Sequence, residues 1–184
     1  MTKILPDDPR KRGRLLLALL ALFFVLPVAA SFLLWWLDLT PGNAGNYGTL
    51  LSPRPVAAAP VAALKGRWVL VQFDGGACGA ACERKLYLMR QVRRAQGREM
   101  QRIERLWFVT DSVHPRAELL AAIEGTVVAR AGDAAKEFPA VRSPLDHVYL
   151  VDPLGNLMMR FPQDPDPMRV IKDLQRLLRA SQFG

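Results

Sequence analysis

Cysteine and histidine are scarce in this sequence, with two residues of each among 184. Both cysteines, Cys78 and Cys82, lie in the stretch FDGGACGAACERKLYLMRQVRR, so the chain can close only one internal disulfide. A metal site that used both thiols would have to take any imidazole ligand from His114 or His147. No internal repeat is visible, and the length predicts one ordinary domain with an appendage rather than a repeat array.

Charge is absent from one long run and concentrated elsewhere. The formal net charge is +8, and the whole excess lies in residues 1–14 and 83–105, while the rest of the chain is balanced. The second cluster follows the cysteines within a helical pattern. Its arginines are expected mostly on the solvent-facing side of that helix.

The uncharged run from Leu15 to Leu37 predicts a transmembrane helix. At about 1.5 Å per residue its length matches a hydrocarbon core of roughly 30 Å. Pro27 is tolerated in such helices, and Trp35 and Trp36 suit an interfacial aromatic belt. The alternative is a cleaved signal peptide ending near Val28–Ala30, but the apolar run continues beyond the roughly 7 to 15 residues typical of a signal.

The basic residues before this run predict its orientation. Five lysines and arginines precede it within residues 1–14, which favours a cytoplasmic N-terminus. The remainder would then lie outside, which for a bacterium means a single-pass inner-membrane protein with a periplasmic domain. Thiols can be oxidised in that compartment. We therefore expect no nucleic-acid partner.

After the run, residues 38–66 are rich in Pro, Gly, Ala and Asn and predict a linker, and residues 67–184 predict the folded domain. The predicted elements are a strand at 67–73, a helix at 79–96, a strand at 103–110, a short helix after His114-Pro115, a short strand at 126–130, a hairpin at 147–161 and a helix at 167–181. This order predicts an α/β thioredoxin-like fold, with a central mixed sheet flanked by helices.

Helical periodicity also predicts which side chains are buried. The inner face of the helix at 79–96 should carry Leu86, Met89, Val92 and, by a weaker match, Tyr87. The last helix should be capped by Asp164 or Asp166 and should bury Met168, Ile171, Leu174, Leu177 and Leu178.

Three interpretations of the cysteine pair remain open. The thiols are four residues apart at a helix start, beyond the carboxyl end of a strand, where functional sites form in α/β sheets and where thiolates are stabilised. The pair could be a structural disulfide, although so short a loop stabilises little. It could be a redox couple, although the usual spacing has two intervening residues. It could also hold Cu(I) through two soft thiolates and an imidazole.

His147 is the candidate third ligand. It begins a predicted strand whose entry loop passes beside the cysteine helix in a thioredoxin-like layout. Asp146 could orient its ring, as carboxylates often orient ligand histidines. His114 could approach the same rim as an additional ligand, since the loops after the first two strands open on one edge.

The Cys-x-x-x-Cys pair after the first domain strand, with DHVYLVDPLGNLMMRF much later, resembles the Sco/SenC family. Those proteins are membrane-tethered, thioredoxin-fold copper proteins that assist assembly of the copper centre of cytochrome c oxidase. The resemblance covers about residues 67–180 and implies Cys78, Cys82 and His147 as ligands of Cu(I) or Cu(II), with the cysteines also able to act as a thiol–disulfide couple. Glu83 stands where the family usually has proline.

The sequence thus predicts a membrane-anchored copper-binding assembly factor whose partner is the oxidase subunit that carries a copper site. Two alternatives remain. One is a metal-free thioredoxin-like oxidoreductase, and the other is a non-catalytic accessory subunit of a respiratory complex that docks through its arginine-rich helix.

Overall fold

The computed structural model describes residues 9–37, 45–139 and 144–181, in two separate units. The first unit contains α1 (Pro9–Trp36), a single long helix with Pro27 inside it. The segment Arg10–Leu34 is long and apolar enough to cross a membrane, by length and composition. The predicted helix is therefore present and begins earlier than Leu15.

The second unit is built on one six-stranded sheet with strand order β1-β6-β5-β2-β3-β4. Its strands are β1 (Thr49–Pro55), β2 (Trp68–Asp74), β3 (Ile103–Val109), β4 (Val127–Arg130), β5 (Val148–Val151) and β6 (Asn156–Phe161). Strands β2, β3 and β4 are parallel, while β5, β6 and β1 are each antiparallel to their neighbours. This mixed sheet is the predicted one, with an additional edge strand.

The α-helices of this unit are α2 (Ala59–Ala62), α3 (Ala80–Arg94), α4 (Ala117–Ala122) and α5 (Pro167–Ala180), and short 3-10 helices lie at Gly97–Arg102, Gly132–Glu137 and Pro144–Asp146. Helices α3 and α5 pack on one face of the sheet, over a core that includes Leu70, Trp107 and Leu150. The other face carries an aromatic cluster of Phe73, Phe108, Phe138 and Tyr149. Successive residues of a strand point to opposite faces of the sheet, and both faces carry an apolar cluster. The central strand β2 is therefore apolar throughout except for Gln72 and its last residue.

The predicted linker at 38–66 is wrong over residues 49–62, which form β1 and α2. Strand β1 pairs antiparallel with β6, and Val56 and Val61 are buried in the core. The strand was not predicted because the segment TLLSPRP contains prolines, and proline has no N–H to donate to a neighbouring strand, which argues against a central strand. An edge strand tolerates proline, and β1 is an edge strand. Residues 38–44 lie outside the described part of the chain.

Two predicted core residues are on the surface instead. Tyr87 and Met168 are each 63% exposed. On α3 the buried residues are Cys82, Lys85, Leu86, Leu88, Met89 and Val92. This face is centred between Lys85 and Met89, and Tyr87 lies on the far side of the helix. On α5 the inner face begins at Val170.

The capping prediction for α5 is confirmed for Asp166, whose Oδ1 accepts hydrogen bonds from the backbone N–H groups of Met168 (2.8 Å) and Arg169 (3.3 Å). The prediction that the basic cluster is a solvated surface is only partly correct. Lys85 and Arg105 are 5% and 3% exposed. Lys85 lies on the buried face of α3, and Arg105 lies on β3 next to arginines of that helix.

Candidate functional site

Cys78 and Cys82 are joined in a disulfide, with an S–S distance of 1.99 Å and a Cα–Cα distance of 5.2 Å. Cys78 lies in the turn between β2 and α3, and Cys82 lies in the first turn of α3, whose N-cap is Gly79. Both cysteines are almost fully buried. The prediction that the pair stands at a helix start beyond a strand end is therefore confirmed.

The turn that carries Cys78 requires small residues. Cys78 has a φ of +42°, in the left-handed region, and its N–H donates to the carbonyl of Gly75 at 3.1 Å. A Cβ on Gly76 would lie 1.9 Å from the carbonyl oxygen of Val113, in the loop after β3. A Cβ on Gly79, in contrast, would meet no atom within 4 Å. The chain is therefore tightly packed before Cys78 and open directly after it.

Gln72 is a site residue that the sequence interpretation missed. It is fully buried on β2, and its Nε2 donates to Sγ of Cys82 at 3.4 Å. Its Oε1 has no hydrogen-bond partner among the described residues. A buried amide oxygen without a partner is costly. The signal available in the sequence was the single amide in the otherwise apolar run WVLVQF.

Lys85 is buried, which the sequence pattern, with the basic side chains of this helix on its solvent-facing side, did not predict. Its Nζ lies 2.9 Å from Oδ2 of Asp74 and donates to the carbonyl of Leu145 at 2.6 Å. The side chain therefore ties α3 to the end of β2 and to the loop before β5. Charged groups are rarely this buried unless they are paired, and here both partners are present.

A pocket of about 330 Å³ opens beside this ion pair. Its lining includes Ala81, which lies between the two cysteines, together with Arg84 and Asp164. Glu83, the residue after the second cysteine, forms an ion pair with Arg116 at the start of α4. The rim around the disulfide is thus polar and rich in charge.

His147 does not lie with the two sulfur atoms in this structure. Its Nδ1 is 2.9 Å from the carbonyl oxygen of Phe161, and its ring meets the ring of Tyr149 edge-on at 5.9 Å. The next residue, Val148, packs in the same cluster as the cysteines, whereas Tyr149 packs in the cluster on the opposite face. Strand alternation thus accounts for the direction of His147.

The other predicted metal-site residues lie nearby without forming a cluster. Asp146 lines the pocket beside Lys85, and His114 is exposed in the loop after β3. Within residues 9–37, 45–139 and 144–181, no three His, Cys, Asp or Glu side chains are grouped so as to hold a metal ion. The structure shows the two cysteines in their disulfide-bonded form. The redox role of this pair, and the set of Cys78, Cys82 and His147 as metal ligands in the reduced protein, stay predictions.

Burial changes the acidity of one group beside His147. Removal from water raises the pKa of Tyr149 to about 12. Arg160 and Arg54 oppose this effect, and Asp146 adds to it. The Tyr149 hydroxyl donates to the carbonyl of Pro139 at 3.0 Å, so it is held as a neutral donor.

Solved structures similar to this one include yeast Sco1 with copper bound, at a TM-score of 0.56 and 14% identity, covering 76% of this chain and 96% of that chain. Another is yeast Sco1, at 0.55 and 14%, covering 76% and 98%. A third is BsSco, described as a member of the Sco family of cytochrome c oxidase assembly proteins, at 0.50 and 14%, covering 76% and 98%. At these identities the likeness concerns the fold, and the predicted resemblance to Sco/SenC proteins is confirmed at that level.

Comparison with curated proteins gives no match. One family model, described as "Transmembrane-like, thioredoxin-like, C-terminal domain", matches residues 68–181. The match runs from the first residue of β2 to just beyond α5 and includes both cysteines. It confirms the predicted thioredoxin-like fold. The chain therefore belongs to the family of transmembrane-like, thioredoxin-like C-terminal domain proteins.

Proposed function

We propose that this protein is a membrane-anchored thiol–disulfide exchange factor that assists assembly of the copper centre of cytochrome c oxidase. The observation that carries the proposal is the Cys78–Cys82 disulfide at the start of α3 in a thioredoxin-like domain. The choice of oxidase as the client is supported by the fold shared with BsSco, which is described as a member of the Sco family of cytochrome c oxidase assembly proteins.

The proposed topology follows the uncharged run Leu15–Leu37, which overlaps the candidate span Arg10–Leu34. Residues 1–14 are cytoplasmic, residues 15–37 cross the bacterial inner membrane, and the domain with both cysteines faces the periplasm. An oxidising compartment makes a reducible disulfide chemically useful. It also creates the need for reduced thiols at a copper site, because thiolates and not disulfides bind copper.

The exchange consumes the reduced pair. The Cys78 thiolate attacks one sulfur of the partner's disulfide, and the other partner sulfur leaves as a thiolate and takes up a proton. The Cys82 thiolate then attacks the sulfur of Cys78 in the mixed disulfide. This closes the Cys78–Cys82 bond and releases the second partner thiol. Two electrons pass to the partner, and a second dithiol protein returns the pair to its reduced form.

The two cysteines are given different roles because their surroundings differ. Cys78 lies in the turn next to Gly79, where a Cβ would meet open space, so a partner backbone can approach there. Cys82 lies within the helix and against Gln72 of β2. We therefore assign the entering sulfur to Cys78 and the resolving sulfur to Cys82.

A purely structural disulfide is the competing explanation. The bond joins residues only four apart, and in the chain-entropy model a loop of this size contributes about 2 kcal/mol at most. The fold also contains an extensive apolar core on both faces of the sheet. Reduction is therefore expected to leave the domain folded.

The test is a redox titration of the full chain in non-ionic detergent against glutathione buffers, with alkylation and mass spectrometry to measure the disulfide fraction. We expect a reversible two-electron transition above about −300 mV, the region of exchangeable rather than structural disulfides. In addition, Cys82→Ser should accumulate a mixed disulfide with a disulfide-bonded peptide of the oxidase copper site, and Cys78→Ser should not. A transition well below that potential, with no mixed disulfide in either variant, would overturn the proposal.

A cellular experiment tests whether the two cysteines are needed for assembly of the oxidase. Cells that carry Cys78→Ser/Cys82→Ser should assemble less of the oxidase copper centre, as cells without the gene should. Normal assembly in the double variant together with loss on deletion would instead favour the non-catalytic accessory subunit.

Binding of copper as cargo is the second candidate function. It is favoured by the fold shared with copper-bound yeast Sco1 and by two soft sulfur donors held together. In the reduced protein we infer that Cys78, Cys82 and His147 would be the ligands, which requires the His147 ring to leave the carbonyl of Phe161.

Anaerobic Cu(I) titration of the reduced full chain tests this second candidate. Affinity should fall in His147→Ala and stay unchanged in His114→Ala, the matched control with the other histidine. Equal affinity in wild type and His147→Ala would remove His147 from the site.

A further inference from the structure

Four arginines meet in a pocket of about 320 Å³ on the α3 face of the sheet, away from the cysteines. They are Arg90, Arg93 and Arg94 from the second half of α3, and Arg105 from β3. The turn after α4 closes the pocket with Glu124 and Gly125. We refer to this feature as the arginine pocket.

Arg105 is the floor of the arginine pocket. It is only 3% exposed, and its Nη2 donates to the carbonyl of Glu124 at 2.7 Å. Its Nε and Nη1 are buried without a hydrogen-bond partner among the described residues. Gly125, with a φ of +76°, allows the turn to lie over the guanidinium, because a Cβ there would be 3.3 Å from Nη2. A buried guanidinium with open donors is unusual in a native fold.

Arg90 and Arg93 are held by backbone groups rather than by carboxylates. Nε of Arg93 donates to the carbonyl of Ile103 at 2.6 Å, and Nη1 of Arg90 donates to that of Ala122 at 3.1 Å. None of the four arginines forms a salt bridge with a described carboxylate. The lining therefore contains four guanidinium groups against the single carboxylate of Glu124.

The surroundings of Arg105 destabilise the charged form of its guanidinium group. Burial is the main cause that lowers the pKa of Arg105, and the positive charges of Arg93 and Arg90 lower it further. Glu104 partly compensates, but it is paired with Arg67. The cluster is thus unfavourable on its own and would be stabilised by a bound anion.

We propose that the arginine pocket binds a phosphate group through the guanidinium groups of Arg90, Arg93 and Arg94, while the buried guanidinium of Arg105 adds positive charge from beneath. Guanidinium forks match tetrahedral oxyanions with two parallel hydrogen bonds, and a volume of about 320 Å³ accommodates a phosphate with an attached glycerol. The proposal is independent of the disulfide chemistry.

The phosphate has two possible sources, free phosphate and the headgroup of an anionic phospholipid. The candidate membrane span belongs to the same chain, so a lipid headgroup would be present at high effective concentration. The experiment therefore uses both as probes.

The full chain in non-ionic detergent is titrated with inorganic phosphate by equilibrium dialysis at constant ionic strength, with chloride as the balancing anion. Parallel titrations use short-chain phosphatidylglycerol, phosphatidylcholine and an oligoglutamate peptide. Arg94→Gln changes an exposed arginine of the pocket. Arg98→Gln is the matched control, since it removes the same charge from an exposed position outside the pocket.

We expect saturable phosphate binding that weakens about tenfold or more in Arg94→Gln and stays within about twofold in Arg98→Gln. Tighter binding of phosphatidylglycerol than of inorganic phosphate would support the lipid source, and equal binding would support free phosphate. If the wild-type protein binds neither inorganic phosphate nor phosphatidylglycerol, the proposal is overturned. Equal weakening in both variants, or binding of the oligoglutamate peptide alone, would also overturn it.

Discussion

Gln72 is the residue whose contact bears most directly on the cysteine chemistry. Its Nε2 donates to Sγ of Cys82 at 3.4 Å from within the central strand. In the reduced protein this donor would favour the thiolate, because a hydrogen bond to the charged form stabilises it. In a Cys78→Ser background, Gln72→Leu should therefore raise the pKa of the Cys82 thiol and lower the thiolate fraction about fivefold, as expected for one hydrogen bond of about 1 kcal/mol. Ultraviolet thiolate absorbance against pH measures this change.

If Gln72 only stabilised the fold, Gln72→Leu would lower the free energy of unfolding and leave the pKa of the Cys82 thiol unchanged. Gln72→Leu also removes the buried Oε1 that has no partner, so urea unfolding should show little loss of stability. Gln72→Glu places a carboxylate near the sulfur and should raise the pKa further than Gln72→Leu does. Identical titration curves for the three proteins would show that the contact is not made in the reduced state.

At the scale of elements, Asp173 explains how the segment before β1 is attached to the domain. This carboxylate on α5 is 3% exposed, and its Oδ2 accepts hydrogen bonds from the backbone N–H groups of Tyr47 (2.8 Å) and Gly48 (2.9 Å). Asp173→Ala would leave the buried N–H of Gly48 and the half-buried N–H of Tyr47 without that partner. We expect the free energy of unfolding to fall by about 3 kcal/mol, measured by urea titration of tryptophan fluorescence.

Lys172→Ala is the control for this change. Its side chain is exposed on the same turn of α5, so its replacement should alter stability by less than about 0.5 kcal/mol. Amide hydrogen exchange gives a second measurement, because Asp173→Ala should selectively speed exchange in β1 and β6. Equal stability of the two variants would mean that β1 is held by its pairing with β6 alone.

For the whole molecule, the buried hydroxyl of Tyr149 predicts how stability depends on alkaline pH. The pKa of Tyr149 is raised from 10.0 to about 12 in the folded protein, so the folded state binds the proton more tightly than the unfolded state does. This contribution is fully present below pH 10 and is lost as the pH rises towards 12. The free energy of unfolding should fall by about 2 to 3 kcal/mol over that interval.

Tyr149→Phe tests the assignment. It loses the hydrogen bond to the carbonyl of Pro139, so its stability at neutral pH should be lower. Its decline above pH 10 should nevertheless be shallower than that of wild type. Parallel declines in the two proteins would assign the alkaline loss to other groups.

Much of the domain could be predicted from local patterns. The apolar run WVLVQF, the helix after the cysteines and the hairpin around Asp152–Gly155 all lie where periodicity and turn residues place them. Strand β1 could not be predicted this way, because its prolines fit only at a sheet edge and its partner β6 lies about a hundred residues away in sequence. The buried face of α3 also differs from the predicted one, because it includes Lys85 and leaves out Tyr87. A lysine can be buried there because its charge is paired with Asp74.

Residues close together in the chain are enough to predict the candidate membrane span, the thioredoxin-like order of elements and the position of the cysteine pair. The side chains around that pair, and the arginines of the arginine pocket, are brought together by the tertiary structure. It placed Gln72 against Cys82, directed His147 towards Tyr149, and brought Arg105 beneath three arginines of α3. These contacts depend on strand register and helix packing, which join distant segments and leave no periodic signal in the sequence.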